Sequence, residues 1–316
     1  MKQQREQIKL IAHAAKAAGY EVRKLGSTGE TMLGDTIQVS SKNKFWLIST
    51  SKIGFFPNTK VWFKMLCNSK ETSCKLLKQL GYGTVPSLYF GALLFDDSEY
   101  FQKMSKLIKK YPVVCKPEDG VRGRNIRVAN NEKQLQQYYL GAKKVQGSFL
   151  VQPIITGNEY RIAVYENKVF AMHNKNFYAI TGNGSDTIAS LCKKRKSTPD
   201  MNFVNHILIE RGYSTKTVLP VGEKIPVKIG KNDGDTLLTE SNIPKPVRDW
   251  ALTLCKKIGC TTVGIDVIIP KDVTDVANYK IFELNASPAF SYLEVQYGCR
   301  ELVDKVAKHI VRQSFK

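Results

Sequence analysis

Gly264-Ile265-Asp266-Val267-Ile268-Ile269 leads, after the polar link 271–278, into Tyr279-Lys280-Ile281-Phe282-Glu283-Leu284-Asn285. The first segment is apolar apart from Asp266, and its flanks make 261–269 and 279–285 read as two strands joined as a hairpin. Side chains two apart on a strand share a face, so Glu283 and Asn285 point the same way while Leu284 points into the core. In such a hairpin Asp266 falls close to opposite Glu283. Like charges directly opposed on adjacent strands are destabilising, and an unpaired buried carboxylate costs more. Two arrangements resolve this: structural carboxylates paired with lysines, or a hard cation held by Asp266, Glu283 and the Asn285 amide oxygen. Such oxygens suit Mg²⁺, which keeps waters and phosphate oxygens as its other ligands.

Upstream, Pro112-Val113-Val114-Cys115-Lys116-Pro117 reads as a strand ending on a lysine. Glu118-Asp119-Gly120-Val121-Arg122-Gly123-Arg124-Asn125 follows it. Glycines let backbone N–H groups approach phosphate oxygens, and lysine and arginine neutralise their charge. An ordinary turn between strands explains the same glycines. The spacing fits neither G-x-x-x-x-G-K-[ST] nor G-x-G-x-x-G. Further on, Phe149-Leu150-Val151-Gln152-Pro153-Ile154-Ile155 is an apolar strand running into a bend, and a second strand opens with Glu159-Tyr160-Arg161. Glu159 and Arg161 share one face. Taken alone they suggest an exposed ion pair, a weak interaction. His13, His173, His206 and His309 are isolated, with no H-E-x-x-H and no Cys/His cluster, and there is no G-x-S-x-G nucleophile elbow.

The chain has 316 residues, which suggests roughly two domains. Its 42% hydrophobic and 24% charged residues are ordinary for a globular protein and exclude wholesale disorder. No run of apolar residues is long enough for a membrane-spanning helix, and the polar start MKQQREQIKL has no secretory signal pattern. Seven scattered cysteines without a C-x-x-C suggest reduced thiols in a cytoplasmic setting. The net charge of +20 suits a polyanionic partner, nucleic acid or acidic polypeptide, as well as it suits plain solubility.

The pattern predicts a helix over 3–18 stopped by Gly19, strands at 36–39 and 45–50, and helical character over 57–80. Ser69 can cap a helix beginning at Lys70, and Gly81 ends it. A short strand near 87–90 and a helix carrying Phe101, Met104, Leu107 and Ile108 follow. Next come a strand at 125–128, a helix at 131–140, a strand at 148–152 and a hairpin, 160–165 with 168–173, turning at Glu166-Asn167. A helix at 244–258 precedes the decisive hairpin, and an amphipathic helix ends the chain. Interspersed helices and strands make the class α+β or α/β.

In this order and spacing the pieces resemble the ATP-grasp carboxylate–amine ligases, and within them the cyanophycin synthetase, bifunctional glutathione synthetase and RimK-type branch, over roughly residues 60–313. Asn68-Ser69-Lys70-Glu71-Thr72, with Leu76-Leu77 and Gly81, resembles the family's helix whose lysine contacts nucleotide phosphate. Lys116 resembles the second ATP lysine, and Gly120 to Ile126, with Gly120 and Gly123, the flexible glycine-rich lid. Gln152 to Glu159 resembles the adenine hinge and ribose carboxylate. Gly182-Asn183-Gly184 with Thr187-Ile188 resembles the branch's "GDG..TI" loop, and Asn232-Asp233-Gly234-Asp235 with Thr239 its "N...GG...T" stretch. Asp266, Glu283 and Asn285 match the magnesium set, and Ala286-Ser287-Pro288 continues it.

The resemblance implies an ATP-grasp fold with a short N-terminal domain over 1–66, an N-lobe with the lid over 67–154 and a C-lobe with the metal site over 155–316, the two α+β lobes clasping ATP. It implies ATP and Mg²⁺, with a pair of ions bound and Mn²⁺ able to substitute. The implied reaction forms an amide through an acyl phosphate and releases ADP and phosphate. Lys70, Lys116 and the loop would hold phosphates. Gln152, Pro153 and Ile155 would hold adenine, with the Ile155 N–H as donor, and Glu159 would hold ribose. Arg161 would meet the acyl-phosphate oxygens, with Lys116 as its catalytic companion. Gln152 and Pro153 stand where the family usually has two glutamates. Lys175 replaces an arginine and Asn183 an aspartate, both on the substrate side with Asn232. Amino acid or peptide carboxylates and amines are the expected substrates, with a polyanionic or acidic acceptor and an oligomeric state in view. The competing reading is a basic module that binds nucleic acid or acidic protein and keeps only a vestigial ATP site.

Overall fold

The structure, a computed structural model, describes residues 2–27, 34–49, 56, 58–91, 98–118, 127–144, 147–155, 157–175, 178–195, 198–210, 212–221, 224–228, 237–270 and 272–316. The first elements are α1 (Lys2–Ala17), β1 (Glu21–Gly26), β2 (Thr36–Ser40), β3 (Phe45–Ser49), α2 (Val61–Asn68), α3 (Lys70–Gln79), β4 (Leu88–Phe90) and α4 (Ser98–Ser105). Then come β5 (Val113–Pro117), β6 (Arg127–Ala129), α5 (Glu132–Lys144), β7 (Phe149–Pro153), β8 (Asn158–Tyr165), β9 (Lys168–Lys175) and β10 (Tyr178–Thr181). The remainder are α6 (Ile188–Lys193), α7 (Met201–Glu210), β11 (Lys224–Lys228), β12 (Leu237–Thr239), α8 (Lys245–Ile258), β13 (Val263–Ile269), β14 (Lys280–Asn285), α9 (Ser291–Tyr297) and α10 (Arg300–Ser314).

These elements form two units, each discontinuous in sequence. The first comprises Met1–Cys67, Tyr160–Asn174 and Thr236–Lys316. It carries a five-stranded sheet of order β12-β9-β8-β13-β14 and a three-stranded sheet of order β1-β2-β3. On α1, Ile8, Ile11, Ala14 and Ala15 recur at helical spacing and are buried with Val303, Val306, Ala307, Ile310 and Val311 of α10. Val39, Trp46 and Ile48 of the small sheet share that core. Each fully buried aliphatic side chain stabilises by about 1.5–3 kcal/mol, so the first and last helices depend on each other. The Gln7 side-chain oxygen adds a buried hydrogen bond, accepting from the Phe290 N–H at 3.0 Å. The stretch expected as a short N-terminal domain, 1–66, shares this core with the end of the chain.

The β8–β9 hairpin turns on Glu166 and Asn167, with φ of 45° and 60°. Two positive φ values match the right-handed twist of the strands they join. A glutamate there is held by its buried carboxylate, which accepts from Asn58 Nδ2 at 2.7 Å and Thr262 Oγ1 at 2.9 Å. β13 and β14 run antiparallel, with Gly264 opposite Asn285 and Asp266 opposite Glu283, and the register shifts just after Asp266.

The second unit comprises Asn68–Glu159 and Lys175–Asp235. Its four-stranded sheet, order β4-β7-β5-β6, buries Phe90, Cys115, Val151 and Phe149 with Phe101, Leu135 and Tyr139 of α4 and α5. Phe90 and Phe149 stack with centroids 4.8 Å apart. A second small core gathers Ile180, Ile188, Val204, Leu219 and Ile225 around the β10–β11 pair. The sequence pattern shows no strand over 178–228, because β10 and β11 are short and far apart in the chain. Of the strand expected at 125–128, residues 127 and 128 fall in β6, while 125 and 126 lie outside the described residues. All seven cysteines are free thiols. Among the described residues no helix is long and apolar enough to cross a membrane.

Candidate active site

In the first unit, Asp266 lies in the middle of β13, 0% exposed. Its counter-charge comes from the neighbouring strand. Arg161 on β8 donates Nε to Oδ1 at 2.6 Å and Nη2 to Oδ2 at 2.5 Å. A bidentate fork of this kind is among the strongest charge-assisted pairings. The sequence suggested Arg161 as partner of Glu159 on an exposed face, and lysines as partners of the carboxylates. The strand order places β8 beside β13, and the arginine forks the buried aspartate. Glu283 on β14 is half-buried and faces Asp266 in register. Asn285 is two residues further, and its side-chain Nδ2 is buried with no hydrogen-bond partner among the described residues. Amide nitrogen and oxygen exchange places by a flip of the side chain, so this amide is unspent and can present its oxygen.

Two carboxylates and an amide form a hard-oxygen donor set, which fits Mg²⁺. Among the described residues no three His, Cys, Asp or Glu side chains gather, and the Asn285 amide is the further oxygen donor beside Asp266 and Glu283. Cys67 borders the set. Burial foremost, then Cys260, pushes its thiol up, while the Ala286 backbone pulls the other way. It stays a neutral thiol, a poor ligand for a hard ion.

In the second unit, Ser69 caps α3 by accepting from the Thr72 N–H, which places Lys70 in the first turn. Lys70 is 8% exposed and its Nζ donates to the Glu118 carbonyl at 2.5 Å. Lys116, 9% exposed, lies on β5 opposite Leu150. Lys116 acts on the neighbouring helix: Cys74 on α3 is raised chiefly by burial and lowered by the charges of Lys116 and Lys78, with Glu118 opposing. Glu118 was not singled out by its sequence, yet it organises this corner. Its Oε1 accepts from Ser69 Oγ at 2.9 Å and from the Glu71 N–H at 3.3 Å. Its position two residues beyond a strand-end lysine was the available signal. Gln152 is buried on β7 and donates Nε2 to Ser87 Oγ at 2.6 Å. That leaves its carbonyl end as the acceptor. Pro153 is exposed at the end of β7, Ile155 follows in irregular backbone, and Glu159 is half-buried on β8.

The substrate-side expectations are less well placed. Asn183 spends its side chain locally: Oδ1 accepts from the Asp186 N–H at 2.8 Å, and Nδ2 donates to Asp186 Oδ2 at 2.6 Å. Lys194 and these neighbours hold the Asp186 carboxyl down at about 2. Gly182 is obligatory, since a Cβ there would lie 2.0 Å from the Pro220 carbonyl oxygen. Lys175 ends the β9 backbone, but its side chain lies outside the described residues, as do Gly120, Gly123 and Asn232.

No family model matches the chain. A cyanophycin synthetase from Geminocystis herdmanii is 31% identical over 203 residues, 57% of this chain and 23% of that protein. The glutathione biosynthesis bifunctional protein GshAB of Streptococcus agalactiae is 25% identical over 223 residues, 63% of this chain and 30% of that protein. The chain thus spans between a fifth and a third of the length of these relatives. Among solved structures, a bifunctional glutathione synthetase from Pasteurella multocida superposes with a TM-score of 0.53 at 15% identity, covering 97% of this chain and 43% of that one. A D-alanine–D-alanine ligase from Bacillus anthracis gives 0.50 at 14% identity, covering 80% and 68%. The protein has the ATP-grasp fold and is a sequence relative of the cyanophycin synthetases and bifunctional glutathione synthetases.

Proposed function

We propose that this chain is an ATP-dependent carboxylate–amine ligase that forms an amide through an acyl phosphate and releases ADP and phosphate. The observation that carries the reading is the register of Asp266 with Glu283, with the unspent Asn285 amide next along the strand. Two acidic side chains opposed in a sheet repel each other; Arg161 offsets the charge of the buried Asp266, and a divalent ion would offset both carboxylates together. Similarity to ligases of this fold supports the same conclusion.

In the proposed reaction the substrate carboxylate attacks the terminal phosphorus of ATP and ADP departs. The amine then attacks the acyl carbon, phosphate departs, and the amine proton leaves to phosphate or solvent. Among the described residues no side chain in the site stands out as a general base. Catalysis rests on positioning and charge neutralisation, as in phosphoryl transfer generally. Lys70 and Lys116 bind phosphate oxygens as point charges, with the loop of Gly120 and Gly123. Arg161 binds the acyl-phosphate oxygens. Gln152, Pro153 and Ile155 orient adenine and Glu159 the ribose. Asp266, Glu283 and Asn285 would hold Mg²⁺, singly or as a pair of ions, with Mn²⁺ as substitute, and the ion neutralises phosphate charge.

The substrates are amino acids or peptides, with Lys175, Asn183 and Asn232 on the substrate side, and the +20 charge recruits an acidic acceptor. The proposed setting is cytoplasmic, as an oligomer. The test is ADP release with Mg²⁺-ATP against a matrix of amino acids and acidic peptides, with mass spectrometry of the products. An amide product formed one-for-one with ADP is the expected result. Tight polyanion binding without ADP release under any condition would instead favour a binding module with a vestigial ATP site.

A further inference from the structure

We propose that Arg161 is an internal cation that occupies Asp266 until a divalent ion takes that carboxylate. Metal loading and delivery of the guanidinium to phosphate oxygens then become one exchange. The inference rests on the reading of Asp266, Glu283 and Asn285 as the metal set.

Three observations carry it. First, the fork engages both oxygens of Asp266, Nε on Oδ1 at 2.6 Å and Nη2 on Oδ2 at 2.5 Å. A second cation approaching the same carboxylate meets the guanidinium's positive charge in a poorly screened site. Second, the partners are buried unequally: the Asp266 side chain is 1% exposed and the Arg161 side chain 22%. The aspartate needs a counter-charge at all times, whereas the arginine has a route outward. Third, Gly264 lies under the arginine stem. A Cβ there would sit 3.8 Å from Arg161 Cδ, 3.4 Å from Asn285 Cβ and 3.1 Å from Pro288 Cβ. The missing side chain leaves the stem beside bare backbone, next to the strand that carries Asn285.

The rival account is a static structural ion pair. A static arginine opposes the ion only through its charge, so Arg161→Met would gain affinity but Arg161→Lys, which keeps the charge, would bind no tighter than wild type. The exchange predicts a gain in both variants, because the bidentate fork itself competes for the carboxylate.

The experiment titrates the full chain with Mn²⁺, without nucleotide, and reads free ion by electron paramagnetic resonance. Wild type, Arg161→Met, Arg161→Lys and Glu283→Gln are compared. Arg161→Met should bind Mn²⁺ at least about tenfold more tightly than wild type, because a charge-assisted pair no longer competes. Arg161→Lys keeps a cation on a flexible stem but loses the fork, so its gain should be smaller. Glu283→Gln should bind more weakly than wild type. If Arg161→Lys binds no tighter than wild type while Glu283→Gln weakens binding, the metal reading stands and the exchange is overturned, whatever the gain in Arg161→Met. If Glu283→Gln changes nothing, the metal reading falls and takes the exchange with it. Should Arg161→Met fail to fold, Arg161→Lys decides by the same criterion.

Discussion

The two units solve the problem of buried charge in different ways. In the first unit the charge sits mid-strand: Asp266 is sealed in the sheet and balanced by a bidentate arginine from a neighbouring strand. In the second, Lys70 sits at a helix start and Lys116 on a strand, with Glu118 organising the corner through its carbonyl and its carboxylate. A strand interior fixes a side chain to a face and a register. A helix start holds a lysine through a cap and a long flexible stem. Breaking the Asp266 fork should therefore cost folding stability as well as chemistry, whereas changes at the lysines of the second unit should chiefly weaken binding.

The largest expected effect is on turnover. Glu283→Ala and Asn285→Ala should each lower ADP release by about a thousandfold, since metal neutralisation of phosphate charge contributes several kcal/mol. Circular dichroism should show both variants folded, because removing Glu283 relieves the repulsion it exerts on Asp266. Near wild-type ADP release by the Glu283 variant at saturating Mg²⁺ would remove the metal assignment.

Next is stability. Asp266→Ala leaves Arg161 beside an apolar sheet without its fork. Breaking a buried pair costs about 3–5 kcal/mol, and the partial exposure of Arg161 points to the lower end. Thermal melting should fall by roughly 6 °C or more, whereas an unchanged melting point would show that the fork contributes nothing to the fold. In the second unit Lys70→Met should raise KM for ATP about tenfold, the loss of one charge-assisted contact, with little change in melting. A large loss of stability instead would erase the contrast between the units. Smallest is Ser69→Ala, which removes the cap of α3 and should cost about 1 kcal/mol in a denaturant titration.

The hairpin of β13 and β14 was legible because one face alternates and one charge interrupts an apolar run. From those residues alone the pairing of Asp266 with Glu283 follows. The cap at Ser69, the stops at Gly19 and Gly81 and the turn at Glu166-Asn167 were legible for the same reason: each is written in adjacent residues. The fork was not, since it joins strands far apart in sequence, and no local pattern says that β8 lies beside β13. The shared core of α1 and α10 was hidden likewise. β1 escaped notice because Glu21, Arg23, Lys24 and Leu25 are exposed and leave no alternating apolar face. Glu118 was hidden by its setting in a loop that draws attention to its glycines and arginines.

The central claim is that a substrate carboxylate is activated on phosphate before an amine captures it. Hydroxylamine intercepts acyl phosphates, so wild-type chain with Mg²⁺-ATP, a pool of ¹⁸O-carboxylate amino acids and hydroxylamine tests it most directly. The account predicts a hydroxamate, an equal amount of ADP, and ¹⁸O carried from the carboxylate into the released phosphate. Hydroxamate accompanied by AMP and pyrophosphate, or phosphate free of ¹⁸O, would contradict it.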